Sequence, residues 1–353
     1  PVLCAGRMDD PQMASASLEN GECDVISLGR PLLADPDYVN KLRSGRLEDV
    51  RPCISCHEGC MGRIQEYSMI NCAVNPQAAR ERVTAYEPIC KSKKVMVVGG
   101  GVAGCEAARV LAIRGHRPEL FEKSQQLGGN LIPGGAPDFK EDDIALAKWY
   151  ERQLSKLEVP VHYGCKLSRE DVLAADFETV IIATGSSPKV FSLGEDAHVY
   201  TAADVLNKEK DCGETAVVIG GGLVGCETAL WLSQQGKKVT IVEALDKLLA
   251  VNGPLCHANK DMLEKLVPYR GVEVITSARV TDYQNGILTA ESAGETKKIP
   301  ADSVILAVGY KEENALYHEL EFDVPEIYLL GDAKKVSNIM YGIWDAFEVA
   351  NHI

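Results

Sequence analysis

A strand, a glycine-rich turn and a helical pattern occur twice in this chain with the same internal spacing, and each copy leads to an acidic residue at the same place. The first copy reads Val97-Val98-Gly99-Gly100-Gly101-Val102-Ala103-Gly104 and leads to Glu122; the second reads Val218-Ile219-Gly220-Gly221-Gly222-Leu223-Val224-Gly225 and leads to Glu243. Both are G-x-G-x-x-G with a carboxylate about 20 residues on, which is the dinucleotide-binding fingerprint. The first glycine makes the tight turn, the second lets backbone approach a pyrophosphate, and the third lets helix pack on strand, so that phosphates meet the N-H groups of a helix start. The flanks agree, because Ala108, Val110 and Leu111 in one copy stand where Ala229, Trp231 and Leu232 stand in the other, as buried crossover helices require. Two nucleotide cofactors are implied, with Glu122 and Glu243 accepting from ribose hydroxyls.

With 353 residues the chain has length for two or three domains. A net charge of −14 argues against nucleic acid and against an anionic membrane surface as partners. No apolar run approaches the length of a bilayer span and no signal-peptide pattern opens the chain, so the expected location is cytoplasmic. An oligomeric assembly is compatible with the sequence.

Of 12 cysteines, four cluster as Cys53-x2-Cys56-x3-Cys60-x11-Cys72, in a segment rich in turn formers. The others are scattered singly, mostly in apolar or helical contexts that suit a small buried hydrophobe. Four thiolates at this spacing suit either a tetrahedral zinc or an iron–sulfur cluster. His57 is a candidate neighbour of these thiols, with a solvated loop position the expected one.

Along the chain, strands are expected at Val2 to Ala5 and Asp24 to Leu28, with a helix from about Asp10 to Asn20 between them and a short helix running towards Ser44. Pro88 and the run Lys91 to Lys94 mark a linker into the first dinucleotide fold. Pro118 deletes a ladder donor and is therefore expected at the first residue of the strand that ends at Glu122. Apolar runs at Thr179 to Gly185 and Ser303 to Gly309 read as buried strands ending in turns, and Ile327 to Ala333 with a final helix completes the first fold.

From about residue 93 to the end the chain resembles the two-dinucleotide-domain flavoproteins of the glutathione-reductase-like fold. The resemblance implies that Gly99, Gly101, Gly104, Glu122, Lys123, Gly129, Asn130 and Asp332 serve FAD, and that Gly220, Gly222, Gly225 and Glu243 serve NADH. That family's disulfide reductases carry a redox C-x4-C or C-x2-C within these folds; this chain has neither, so its electrons must leave by another route.

The strings Gly29-Arg30-Pro31-Leu32-Leu33-Ala34-Asp35-Pro36-Asp37, Arg51-Pro52-Cys53-Ile54-Ser55-Cys56 and Asn71-Cys72-Ala73-Val74-Asn75-Pro76 resemble the barrel end and cluster segment of the family of 2,4-dienoyl-CoA reductase, 2-enoate reductase and trimethylamine dehydrogenase. The resemblance implies that Cys53, Cys56, Cys60 and Cys72 ligate a [4Fe-4S] cluster, and that Arg7, Gly29 and Arg30 belong to FMN-phosphate loops. The implied relay runs from NADH through FAD and the cluster to FMN, which reduces an activated carbon–carbon double bond of a small-molecule substrate; the alternatives are an amine dehydrogenase relative that exports electrons and a non-catalytic fragment that binds zinc and nucleotide.

The expected fold is α/β: two Rossmann-like domains preceded by the last two strands of a TIM barrel and a cysteine-rich segment. Residues 1–50 are assigned to the barrel end, 51–92 to the cluster segment and linker, 93–203 with 314–353 to the FAD domain, and 204–313 to the NAD(P)H domain. Because the chain opens at Pro1 within a barrel, the expectation is a C-terminal portion of a longer polypeptide, with the substrate pocket and proton donor upstream.

Overall fold

The computed structural model describes residues 1–86, 89–194, 198–250 and 255–353; Pro88 lies outside them. Two five-stranded sheets dominate, and every strand pair in both is parallel. The first has the order Ile327–Leu329, Thr179–Ile182, Lys94–Val98, Arg117–Glu122, Val161–Tyr163. The second has the order Glu273–Ile275, Lys238–Val242, Thr215–Ile219, Ser303–Leu306, Val199–Thr201. Their central strands are apolar runs buried on both faces, which is why they carry no alternation. Each fingerprint helix, Val102–Arg114 and Leu223–Gln234, crosses over from the first strand of its sheet to the second.

The chain passes between the two folds through a ribbon in which Ser186–Pro188 pairs antiparallel with Tyr310–Glu312. The expected start of the insert at 204 falls beyond that ribbon, because Val199–Thr201 already pairs with Ser303–Leu306 and covers the edge of the second sheet. A three-stranded antiparallel meander, Ala278–Gln284, Ile287–Ser292 and Glu295–Pro300, packs on the second sheet through Tyr283, Leu288, Ala290 and Ile299; the sequence reading did not foresee it.

Ahead of these folds, Leu3–Ala5 and Val25–Ser27 form a two-stranded parallel sheet with the helix Pro11–Glu19 between them, its N-cap Asp10 accepting from Gln12 N and Met13 N. The cysteine segment that follows contributes Ile54 and Val74 to the core of the first dinucleotide fold.

Pro118 is the second residue of its strand, not the first. The Arg117 N-H donates to Lys93 O on one side and the Leu120 N-H to Pro160 O on the other. Alternation puts the missing Pro118 donor on the side of Val161–Tyr163, whose pairing begins only at Leu120. No ladder bond is lost, so proline is tolerated there.

Candidate functional site

The two fingerprints fold almost identically. Gly99 has φ of 110° and Gly220 of 106°, a region in which side chains are strained. A Cβ on Gly104 would lie 1.9 Å from Gly99 O, and one on Gly225 would lie 1.9 Å from Gly220 O, so both third glycines are fixed by helix–strand contact. Gly101 differs: nothing stands within 4 Å of a Cβ built there, so its face is open to a ligand. Gly101 and Gly222 are the N-caps of their helices, and neither helix has a side-chain cap. The first amides of each helix therefore have no capping oxygen of their own, the arrangement that suits a phosphate.

The carboxylates brace these loops. Glu122 is buried and accepts from Gly100 N at 2.6 Å and Ser124 N at 2.7 Å. Glu243 accepts from Gly221 N and, at 2.8 Å, from Leu245 N. Each oxygen keeps a second lone-pair direction for a hydroxyl. The repeat extends to Cys105 and Cys226, buried thiols that donate to Gly100 O at 3.3 Å and Gly221 O at 3.4 Å. Burial pushes the Cys226 thiol up to about 12 and raises Cys105 likewise, so both are inert small hydrophobes, as expected for cysteines in helices.

The remaining FAD-assigned residues surround the first helix start. Gly101 bridges to Gly128, and a Cβ on Gly129 would come within 3.1 Å of Gly101 Cα. Asn130 Nδ2 donates to Ser186 Oγ at 3.3 Å, and Ser186 Oγ donates to Asp332 Oδ2 at 2.8 Å. Burial pushes the Asp332 carboxyl up, against donation from Ser337 N at 3.0 Å. Gly331 brings this turn against Ala103, on the first turn of the helix. Lys123 is exposed at the end of its strand.

The four cysteines Cys53, Cys56, Cys60 and Cys72 line one cavity of ≈ 20 Å³, together with Arg30 and His57. Among the described residues no group of three or more His, Cys, Asp or Glu side chains gathers closely enough for a single metal ion. Burial pushes Cys56 up to about 12 and Cys72 up to about 11, and raises Cys53. Backbone donors oppose this: Ser55 towards Cys53, Glu58 towards Cys56, and Val74 and Asn75 towards Cys72. Donors aimed at a sulfur favour the thiolate, which is the form that binds metal.

The loop carrying these thiols is irregular by necessity. Ser55 and His57 have φ of 53° and 61°, and a π-type turn spans Glu58–Gly62. Gly59 lies against the backbone of Cys72 and Ala73, where a Cβ would meet Ala73 N at 2.9 Å. Residues far away in sequence hold the segment. Trp344 Nε1 donates to Cys72 O at 3.0 Å, and Arg51 donates to Val74 O at 2.9 Å while stacking over Trp149.

His57 is not a solvated loop residue. It is half-buried, with Nε2 2.8 Å from Arg30 and Nδ1 3.1 Å from Asn259 Oδ1. Arg30 thus reaches the cysteine cavity, whereas Arg7 is exposed and pairs with Asp142 at 2.8 Å and Ser55 at 2.9 Å. Gly29 caps the turn Arg30–Ala34.

A largely buried charge group, with Asp143 buried and Lys140 and Glu227 half-buried, joins the two dinucleotide folds. Lys140 lies 3.3 Å from Glu227, two residues beyond Gly225, and 3.6 Å from Asp143. One ammonium serves two carboxylates, and burial pushes Asp143 up to about 6.

Residues 93–346 match the family model of the pyridine nucleotide-disulphide oxidoreductases, and residues 1–49 match that of the NADH:flavin oxidoreductase / NADH oxidase family. A cinnamate reductase of Clostridium sporogenes is 50% identical over 100% of this chain and 53% of its own length. An NADH oxidase of Thermoanaerobacter brockii is 37% identical over 99% of this chain and 55% of its own. The structure of a 2-naphthoyl-CoA reductase superimposes with a TM-score of 0.93 at 28% identity, covering 100% of this chain and 54% of that one. The chain spans about half the length of the curated relatives it matches. It belongs to the pyridine nucleotide-disulphide oxidoreductase family, in the C-terminal part of an enoate-reductase-like arrangement, and its fold is that of NAD(P)H-dependent flavin oxidoreductases. Among the described residues no helix is long and apolar enough to cross a membrane.

Proposed function

We propose that this chain is the electron-input part of a flavin and iron–sulfur oxidoreductase that draws on NADH and serves the reduction of an activated carbon–carbon double bond in an enoate or enoyl thioester. The observation that carries the reading is the convergence of four cysteines on one cavity, beside a flavoprotein fold with two intact nucleotide fingerprints. The names of the cinnamate reductase and the naphthoyl-CoA reductase support the substrate class.

The residues present fit each group. The open face of Gly101 and the uncapped start of Val102–Arg114 suit the FAD pyrophosphate, with Glu122 for its ribose and Asp332 close by. Gly220, Gly222, Gly225 and Glu243 offer the same to the nicotinamide dinucleotide. Cys53, Cys56, Cys60 and Cys72 stand around a space rather than converging on a point, and backbone donors face three of the four sulfurs. That suits a [4Fe-4S] group better than a lone zinc. When bound, a flavin supplies the exchange between hydride and single-electron transfer, and a cluster carries single electrons.

The chain's own part is binding, orientation and shielding. Ile54 and Val74 line the cavity and anchor it in the core of the first fold, which leaves the thiols partly buried, and the Lys140–Glu227 contact ties the second fold to the first. Arg7, Gly29 and Arg30 are assigned to the phosphate of FMN in the whole protein.

Anaerobic purification with iron, sulfide and flavin analysis tests the reading. Four irons, four sulfides and one FAD per chain are expected for a [4Fe-4S] flavoprotein; stoichiometric zinc without sulfide would overturn it.

A further inference from the structure

We propose that Asn259, on the helix His257–Tyr269 of the second dinucleotide fold, is a positioning residue for the cysteine cavity, through which docking of that fold sets the surroundings of the group the thiols hold. The proposal rests on the reading that they hold an iron–sulfur cluster.

Asn259 makes two bonds across the boundary. Its Nδ2 donates to Cys56 O at 2.9 Å, and its Oδ1 lies 3.1 Å from His57 Nδ1. With the nitrogen donating to Cys56, Oδ1 is left as an acceptor, so His57 Nδ1 carries the proton. His57 Nε2 is then an acceptor and takes the Arg30 guanidinium at 2.8 Å. The chain from Asn259 through His57 to Arg30 is thus fixed in donor direction at every link. Arg30 and His57 both line the cavity, so this chain holds a permanent cation beside four thiolates.

A second contact backs the first. Glu58 Oε1 accepts from Cys256 N at 3.3 Å, at the start of the same helix, which has no side-chain cap of its own. Gly62 packs against Cys256, where a Cβ would lie 3.5 Å from the Cys256 Cβ. The loop that carries Cys56 and Cys60 is therefore seated on a helix of the nucleotide-binding insert. Outer partners of this kind orient metal ligands and tune the group they hold.

The test compares wild type with Asn259→Ala, Asn259→Gln and, on an exposed position of the same helix, Asp261→Asn. Iron and sulfide content, the EPR spectrum of the reduced protein and the midpoint potential by redox titration are measured on each. Asn259→Ala is expected to keep its iron and sulfide but shift its g-values and lower its potential, because the Arg30 cation is no longer held; Asp261→Asn stays at wild type. If Asn259→Ala keeps wild-type spectrum and potential, or if Asp261→Asn shifts equally, the proposal is overturned while the cluster reading stands. If Asn259→Ala loses iron, Asn259→Gln decides: recovery of the wild-type spectrum supports positioning by the amide, and loss of iron in both overturns it. Wild-type protein without iron and sulfide overturns the cluster reading, and the proposal with it.

Discussion

Two glycines three residues apart are expected to fail in opposite ways when changed to alanine. In Gly104→Ala the new methyl would lie 1.9 Å from Gly99 O and 3.4 Å from Ala183 Cβ, both on the strand side of the helix. Helix and strand must part, at the cost of about 1–3 kcal/mol typical of overpacking or more, against which alanine returns about 1 kcal/mol of helix propensity. In Gly101→Ala the methyl meets nothing within 4 Å and φ of −71° is ordinary for alanine, so the apo-protein loses only about 0.5–1 kcal/mol for a poorer N-cap. On the proposed assignment of Gly101 to FAD, the same methyl would stand where the pyrophosphate approaches. Losing one charge-assisted hydrogen bond of about 1.5–3 kcal/mol weakens FAD about tenfold to a hundredfold, and losing two weakens it up to about ten-thousandfold. Urea denaturation of the apo-protein and titration with FAD, followed by quenching of flavin fluorescence, separate the two effects. Wild-type FAD affinity in Gly101→Ala, or an unchanged urea midpoint in Gly104→Ala, refutes the assignment of roles.

Flavin reduction in a stopped-flow instrument is expected to be faster with NADH than with NADPH, since on the proposed assignment Glu243, next after the strand Lys238–Val242, would accept from a 2′-hydroxyl and repel a 2′-phosphate; equal capture of both, with exposed Lys247 reaching the phosphate, contradicts this. Burial lifts Asp143 to about 6, above the unfolded value, so its contribution to stability is full below about pH 4 and is lost as pH rises through about 6. Urea midpoints of wild type should therefore gain on Asp143→Asn as pH falls between about 7 and about 4; parallel curves for the two proteins refute it. The purified chain is expected to oxidise NADH with a dye as acceptor but not to reduce an enoyl thioester when FMN is added, because the two strands Leu3–Ala5 and Val25–Ser27 cannot wall a barrel pocket. Thioester turnover near the dye rate would show that the substrate site does not need the rest of a barrel.

The nucleotide folds and the cysteine set were legible in the sequence because each is written in neighbouring residues. A turn at Gly99 with φ of 110° and helix contact at Gly104 demand glycine at set spacing, and a multidentate thiolate site demands cysteines within reach along one loop. What was illegible lies between segments. Pro118 sits inside its strand because Val161–Tyr163 is too short to miss the donor, a fact about the neighbouring strand rather than about proline. His57 reads locally as a solvated loop residue, and the approach of Arg30 and Asn259 is what half-buries it and occupies both ring nitrogens. Trp344 at the cysteine segment, Lys140 at the join of the folds and Asn259 at the cavity carry no local signal, since none belongs to a spacing that its own neighbours enforce. Local backbone geometry and the spacing of cysteines along one loop thus determined the nucleotide turns and the thiol set, while packing between distant segments alone decided which side chains surround them.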